Sequence, residues 1–198
     1  MKGNIGIDRY LGHATILDAH TKNPFELLRT GEYLWPAPIL AAGDQALVGN
    51  KLYAIQCPVV RAMTLDRLAA WVKVASGIAG SVARLGIYNN GTNLYPGTLA
   101  LDAGTIATDS IGIKAITINK SLTKGLYWLA LLADTDFSIR YVGFTFSLLG
   151  AHPTDLTSGL ASWDVAQTYG ALPDPFTAGG TCYNRIPLLI CPRILSLD

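Results

Sequence analysis

The sequence predicts an all-β fold, a two-sheet antiparallel sandwich over residues 51–198 preceded by an extended arm over residues 1–50. Three observations point to it. From Lys51 onward, short apolar segments recur between Gly, Asn, Asp and Pro turns at the spacing of sandwich strands. One segment, residues 126–132, is apolar on both faces, as a central strand covered on each side has to be. Glutamate, a good helix former, occurs only at Glu26 and Glu32 while glycine numbers 20, a balance that suits strands and turns better than long helices.

Taken in order, residues 1–50 carry apolar clusters such as Ile16-Leu17 and Leu27-Leu28 without sustained period, punctuated by Trp35-Pro36-Ala37-Pro38 and Ala42-Gly43-Asp44. They read as a docking arm with one short helix near residues 24–28. Strands are expected at residues 52–56, 68–74, 82–88, 98–101, 113–118, 126–132 and 137–146. In the second of these, Leu68, Ala70, Val72 and Val74 alternate as a strand would place them. Leu65, Leu68, Val72 and Ala75 also fit one face of a helix, and periodicity leaves both readings open. The run Leu126-Tyr127-Trp128-Leu129-Ala130-Leu131-Leu132, bounded by Gly125 and Asp134, needs two covering layers, of which the dense β punctuation makes one a second sheet. After Gly150 a long irregular tract holds Pro153, Pro173, Pro175, Gly179 and Gly180, a length unusual for a loop inside a compact domain. A final strand is expected at residues 186–190, with Pro187 suited to an edge or a strand start.

Composition narrows the function classes. Hydrophobic residues make up 50% and charged residues 15%, against roughly 25% charged in ordinary soluble domains, and mean hydropathy is +0.31. A lone monomer has too little interior for that much apolar surface, so burial is expected to finish inside an assembly. The net charge of +1, from 15 basic and 14 acidic residues without runs of either sign, argues against a nucleic-acid partner. Every stretch approaching the ~20 apolar residues of a membrane span is broken by charge or by Pro, Gly and Asn, so no membrane insertion is expected. The start Met1-Lys2-Gly3-Asn4 lacks the apolar core of a secretory signal. The sequons at Asn90 and Asn119 then read as turn chemistry, and three cysteines, Cys57, Cys182 and Cys191, fit synthesis in a reducing cytoplasm better than a disulfide framework.

No catalytic, metal or cofactor motif stands out. His13, His20 and His152 match no metal-ligand spacing. Asp134 and Asp136 supply too few oxygens for Ca²⁺ and read as a hairpin turn. Cys182 and Cys191, nine apart without a neighbouring histidine, read as small buried hydrophobes. Neither a nucleophile elbow nor a phosphate loop is present. The segment from Tyr88 to Gly97 is the one candidate for ligand binding. Tyr88, Asn89, Asn90, Asn93 and Tyr95 combine the rings that stack on sugars with the amides that bond hydroxyls, whereas Asn-Gly and Pro-Gly are equally ordinary turn formers.

Three stretches together resemble a pattern in β-sandwich virion proteins of tailed bacteriophages. They are Arg84-Leu85-Gly86-Ile87-Tyr88 followed by Tyr95-Pro96-Gly97-Thr98-Leu99, then Leu122-Thr123-Lys124-Gly125-Leu126-Tyr127-Trp128-Leu129-Ala130, then Tyr169-Gly170-Ala171-Leu172-Pro173-Asp174-Pro175-Phe176. The resemblance runs from about Leu52 to the C-terminus and leaves the arm unmatched. It implies a jelly-roll-like sandwich of the kind found in tail fibres, baseplate-associated subunits and capsid decoration, commonly a homotrimer, made in the host cytoplasm and working through contacts with itself and other virion proteins. It transfers no catalytic residue. The arm residues Ile5, Ile7, Leu11, Ile16, Leu17, Leu27 and Leu28 are expected to lie on a partner subunit, and the Pro- and Gly-rich tract after Gly150 likewise. The alternative is a carbohydrate-binding module for host surface glycans, which would present Tyr88 and Tyr95 as exposed coplanar rings. A glycoside hydrolase would need two carboxylates across a cleft, for which no paired motif exists.

Overall fold

A computed structural model of the chain describes residues 28–34, 41–143, 151–152, 155–159, 162–183 and 188–197. Its strands are β1 Ala41–Leu47, β2 Lys51–Val59, β3 Met63–Val74, β4 Val82–Asn90, β5 Pro96–Ala107, β6 Gly112–Leu122, β7 Gly125–Ala133, β8 Phe137–Gly143, β9 Ala151–His152, β10 Asp155–Gly159, β11 Ser162–Ala166, β12 Thr181–Tyr183 and β13 Ile190–Leu197. There is no α-helix among the described residues; a single 3-10 turn, Thr92–Leu94, interrupts the strands. The seven expected strands all occur, four of them longer at both ends and that at residues 137–146 described to Gly143, and residues 68–74 are strand rather than helix. Their alternation turns Leu68, Ala70 and Val72 into the core, with a bulge between Leu65 and Arg67 shifting the register upstream.

The first eight strands nest as four antiparallel pairs. β4 pairs β5, enclosed by β3 with β6, then by β2 with β7, then by β1 with β8. Successive pairs alternate between two sheets, joined by β7 against β4 in one and β8 against β3 in the other. The sheet orders are therefore β1-β8-β3-β6 and β2-β7-β4-β5, the arrangement of a jelly roll. Two later additions modify it. β13 takes the edge of β3 from Met63 to Ala70, leaving β8 only Val72 and Val74, and β11 with β12 widens the other sheet beyond β2.

The inter-sheet core contains Ile55, Leu68, Val72, Leu85, Ile87, Leu129, Leu131 and Ile139, all fully buried. β7 lies between β2 and β4 as the doubly apolar run requires. Leu129 and Leu131 face this core while Trp128, Ala130 and Leu132 face a second cluster on the outer side of the sheet, with Leu52, Ala54, Tyr88, Leu172 and Phe176. The lid over that second cluster is the tract after Gly150.

Three expectations change here. The described part of the tract finds partners within the chain: residues 162–166 and 181–183 are strands, and residues 167–180 are bonded to the chain's own sheet. Tyr169 N donates to Asn50 Oδ1 (2.8 Å), Phe176 N to Gly97 O (2.9 Å), and Asp174 Oδ1 accepts from Leu99 N (2.8 Å). Irregular backbone is stable there because it finds partners within the fold. The last strand is Ile190–Leu197; of the expected residues 186–190, Ile190 starts it, Leu188 bridges Tyr141, and residues 186–187 lie outside the described residues. Its proline is Pro192, whose carbonyl accepts from Leu34 N, so its missing N–H falls on the side away from β3. The sandwich also starts earlier than residue 51. β1 belongs to it, and residues 28–34 run along β13 through Gly31 N to Ile194 O (2.7 Å) and Ile194 N to Glu32 O (3.1 Å). Leu28 packs on the chain's own core, contrary to its expected place on a partner, whereas Ile5, Ile7, Leu11, Ile16, Leu17 and Leu27 lie outside the described residues, as do residues 24–27 of the expected short helix.

Candidate functional site

The hairpin joining β4 to β5 brings the five sugar-site candidates together but engages Tyr88, Asn89, Asn90 and Tyr95 in bonds within the chain. Gly91 N donates to Tyr95 O (2.7 Å) and Tyr95 N to Thr92 O (3.1 Å), with Asn93 and Leu94 in the left-handed region between them at φ 53° and 54°. A side chain on Gly91 would press against Tyr95 O at 2.9 Å, so the closeness of the turn requires glycine. Tyr88 is 0% exposed. Its hydroxyl donates to Pro173 O (2.7 Å), and its ring meets Phe176 edge to face at 5.2 Å. Burial pushes its phenol pKa well above the usual value, with the carboxylates of Asp102 and Asp174 adding to the effect. Tyr95 meets Trp163 at 4.8 Å and Phe176 at 5.5 Å, donates to Thr177 O (2.6 Å) and accepts from Gly180 N (2.9 Å).

The amides are used the same way. Asn89 Nδ2 donates to Thr98 Oγ1 (2.9 Å), and Asn90 Oδ1 accepts from Trp128 Nε1 (3.0 Å). Asn93, at the tip, is exposed. The pair of exposed coplanar tyrosines expected of a sugar platform is therefore corrected: both rings clamp the 167–180 lid onto the sheet. Trp163 and Phe176, which complete the clamp, were not among the sequence candidates. Phe176 was present in the Tyr169 to Phe176 stretch of the resemblance, but nothing local said that it lay over Tyr88, and Trp163 lay outside that stretch.

The opposite outer face is different. Along β3, Thr64, Arg67, Ala69, Trp71 and Lys73 point away from the core, and β6 sets Ile113 opposite Trp71 and Ala115 opposite Ala69. Trp71 is 37% and Ile113 68% exposed. With Tyr33, Leu189 and Cys191 they line a shallow apolar cleft of about 160 Å³. Lys73 Nζ stands 4.6 Å and Arg140 Cζ 5.7 Å from the Trp71 ring centroid, so cations flank the indole. Val74, Ile78 and Ile111 are also exposed at this end of β3 and β6. Outward positions of a solvated sheet are usually polar. The sequence signal was there to find, since Ile113, Ala115, Ile116 and Ile118 place apolar residues on both faces of one strand.

Chemistry-bearing groups elsewhere serve structure. Asp134 Oδ2 accepts from Val82 N (2.8 Å) and Asp136 Oδ1 from Gly49 N (2.8 Å), each fixing a turn. Burial raises the thiols of Cys57 and Cys191 to about 12 and of Cys182 to about 11, far from the thiolate range of a nucleophile. Asp66 is held below the usual carboxylate value by its hydrogen bonds from Arg193. His13 and His20 lie outside the described residues and His152 is in β9. Among the described residues there is no group of three or more His, Cys, Asp or Glu able to hold a metal ion, and no helix long and apolar enough to cross a membrane. No protein-family model matches the chain, and no curated protein sequence matches it significantly.

Proposed function

We propose that this chain is a structural subunit of a tailed-phage particle, acting through protein–protein assembly: a tail, fibre or baseplate-associated component or a capsid decoration. The observation that carries the reading is the asymmetry of the two outer faces. One sheet is covered by its own 167–180 lid, whereas the other leaves Trp71, Ile113 and Tyr33 in a continuous apolar strip beside Lys73 and Arg140. Apolar strips with a central Trp and a charged rim are what partner subunits bury. A jelly roll also suits the role, because its closed ribbon leaves few strand edges to pair at random. By the resemblance the first partner is a second copy in a homotrimer, and other virion proteins are the next.

Replacing Trp71 and Ile113 together by Glu tests this. The pair is exposed, so the variant keeps the parent's far-UV circular dichroism, and it sediments as a monomer where the parent sediments as an oligomer and enters particles. A parent that is itself a monomer, or a double variant that still enters particles, overturns the assignment of this face.

A further inference from the structure

A second opening lies at the sandwich edge, between the two sheets, where β1 passes β2 and β11. Gln45, Val48, Lys51, Tyr53, Ser162 and Asp164 line a cleft of about 90 Å³ there. Tyr53 stands opposite Asp164 across the β2–β11 ladder, and Ser162 follows two positions along, so all three point between the sheets. Asp164 is 5% exposed, as unusual a place for a carboxylate as a sandwich offers. Its Oδ2 is paired with Lys51 Nζ. Its Oδ1 is fully buried and has no hydrogen-bond partner. An acceptor of that kind is costly unless something donates to it.

The charges around it say what the donor is. Lys51 already balances the carboxylate, so a second cation would meet like charge, and an anion would meet the carboxylate itself. A neutral hydroxyl suits both partners. It can donate to the Asp164 carboxylate, which borders the cleft, while a neighbouring hydroxyl accepts from the Tyr53 phenol, whose oxygen takes Val48 N (2.9 Å) and whose proton remains to be given. Burial raises the phenol's pKa, which keeps that proton in place. The volume is that of roughly three waters at ~30 Å³ each, room for more than one hydroxyl. Val48, 54% exposed at the mouth, and the Tyr53 ring give apolar surface for the C–H side of a ring.

We propose that this edge cleft binds a neutral polyhydroxylated ligand, one sugar residue or a comparable polyol, held by Asp164 and Tyr53. The site is separate from the Tyr88–Tyr95 hairpin and from the apolar strip on Trp71, so its failure leaves the assembly reading untouched. Saturation-transfer NMR on the full chain with galactose, glucose, mannose, rhamnose and glycerol as probes tests it. Transfer to at least one probe is expected. Affinity for it should fall about tenfold or more in Asp164→Asn, which removes a charge-assisted acceptor. Because Asp164→Asn also breaks the pair with Lys51, Gln45→Phe serves as the second variant. It fills the mouth from a half-exposed position and should abolish transfer while keeping the parent's circular dichroism. No transfer from the folded parent, or undiminished transfer with folded Gln45→Phe, would mean that the cleft takes water only and would overturn the proposal.

Discussion

Trp128→Ala tests the account of the fold at its most heavily used residue. The side chain is 0% exposed, sits in the central strand and faces the cluster formed by Leu52, Tyr88, Leu172 and Phe176. A buried indole hides about 150–250 Å², which at ~25 cal/mol per Å² corresponds to roughly 4–6 kcal/mol. Alanine retains part of that and the lid relaxes partly into the space, so the loss should fall in the range of about 3–5 kcal/mol measured for large buried aromatics. The hydrogen bond from Nε1 to Asn90 adds little, because Asn90 is exposed and its oxygen can turn to water. For a chain of this length ~4 kcal/mol corresponds to a fall in Tm of roughly 8–16 °C. Urea and thermal unfolding followed by far-UV circular dichroism measure it, with Trp71→Ala as the control. Trp71 is 37% exposed and should cost under ~1 kcal/mol in the isolated subunit. A Trp128 variant within ~1 kcal/mol of the parent, or a Trp71 variant as damaged as Trp128, would refute the assignment of inner and outer faces.

Gly86→Ala should cost about 1–3 kcal/mol by overpacking, since the added methyl would press on Leu172 Cδ1 and lie 2.7 Å from the backbone oxygen of Leu101. Limited proteolysis should then cut residues 167–180 faster than in the parent, and an unchanged digestion pattern would mean that Leu172 does not seat there. Iodoacetamide should label half-buried Cys182 slowly and Cys57 and Cys191 only after unfolding. These thiols sit above their ordinary value near 9, so the folded state holds the proton more tightly than the unfolded chain does; stability should be flat below about pH 9 and fall as pH rises toward 12. Equal labelling of all three in the native protein would contradict their burial. Deleting residues 1–27 should leave the sandwich folded, with unchanged circular dichroism, and abolish incorporation into particles; the cut stops at 27 because residues 28–34 run along β13. Normal incorporation of the truncated chain would remove the arm from the assembly account.

The strands were legible wherever the alternation faced the core. Leu68, Ala70 and Val72, or the doubly apolar run through Trp128, carry their own orientation. β1 was missed because Ala41-Ala42-Gly43-Asp44-Gln45-Ala46-Leu47 has almost no apolar period of its own; β8 supplies its pairing. β11 was missed because Asp164 occupies a core-facing position, stable there through Lys51, and a charge at such a position argues against a strand in any local reading. The hairpin at Tyr88 to Tyr95 was legible as turn chemistry, but the orientation of its rings was not. Local sequence made it a polar loop with rings, whereas a lid some eighty residues later decides which way the rings face. The apolar strip was visible as an excess, in Ile113 and Ala115 on a strand already filled by Ile116 and Ile118, but its position opposite Trp71 follows only from the β3–β6 register.

The proposed assembly role requires the Trp71 face to be buried against other subunits in the particle. Crosslinking of purified particles with an amine-reactive reagent, read by mass spectrometry, measures this at Lys73, which stands over the Trp71 ring. Crosslinks from Lys73 to a second copy of the chain or to another virion protein are expected. Lys73 linked only within its own subunit, while lysines remote from this face link between subunits, would contradict it.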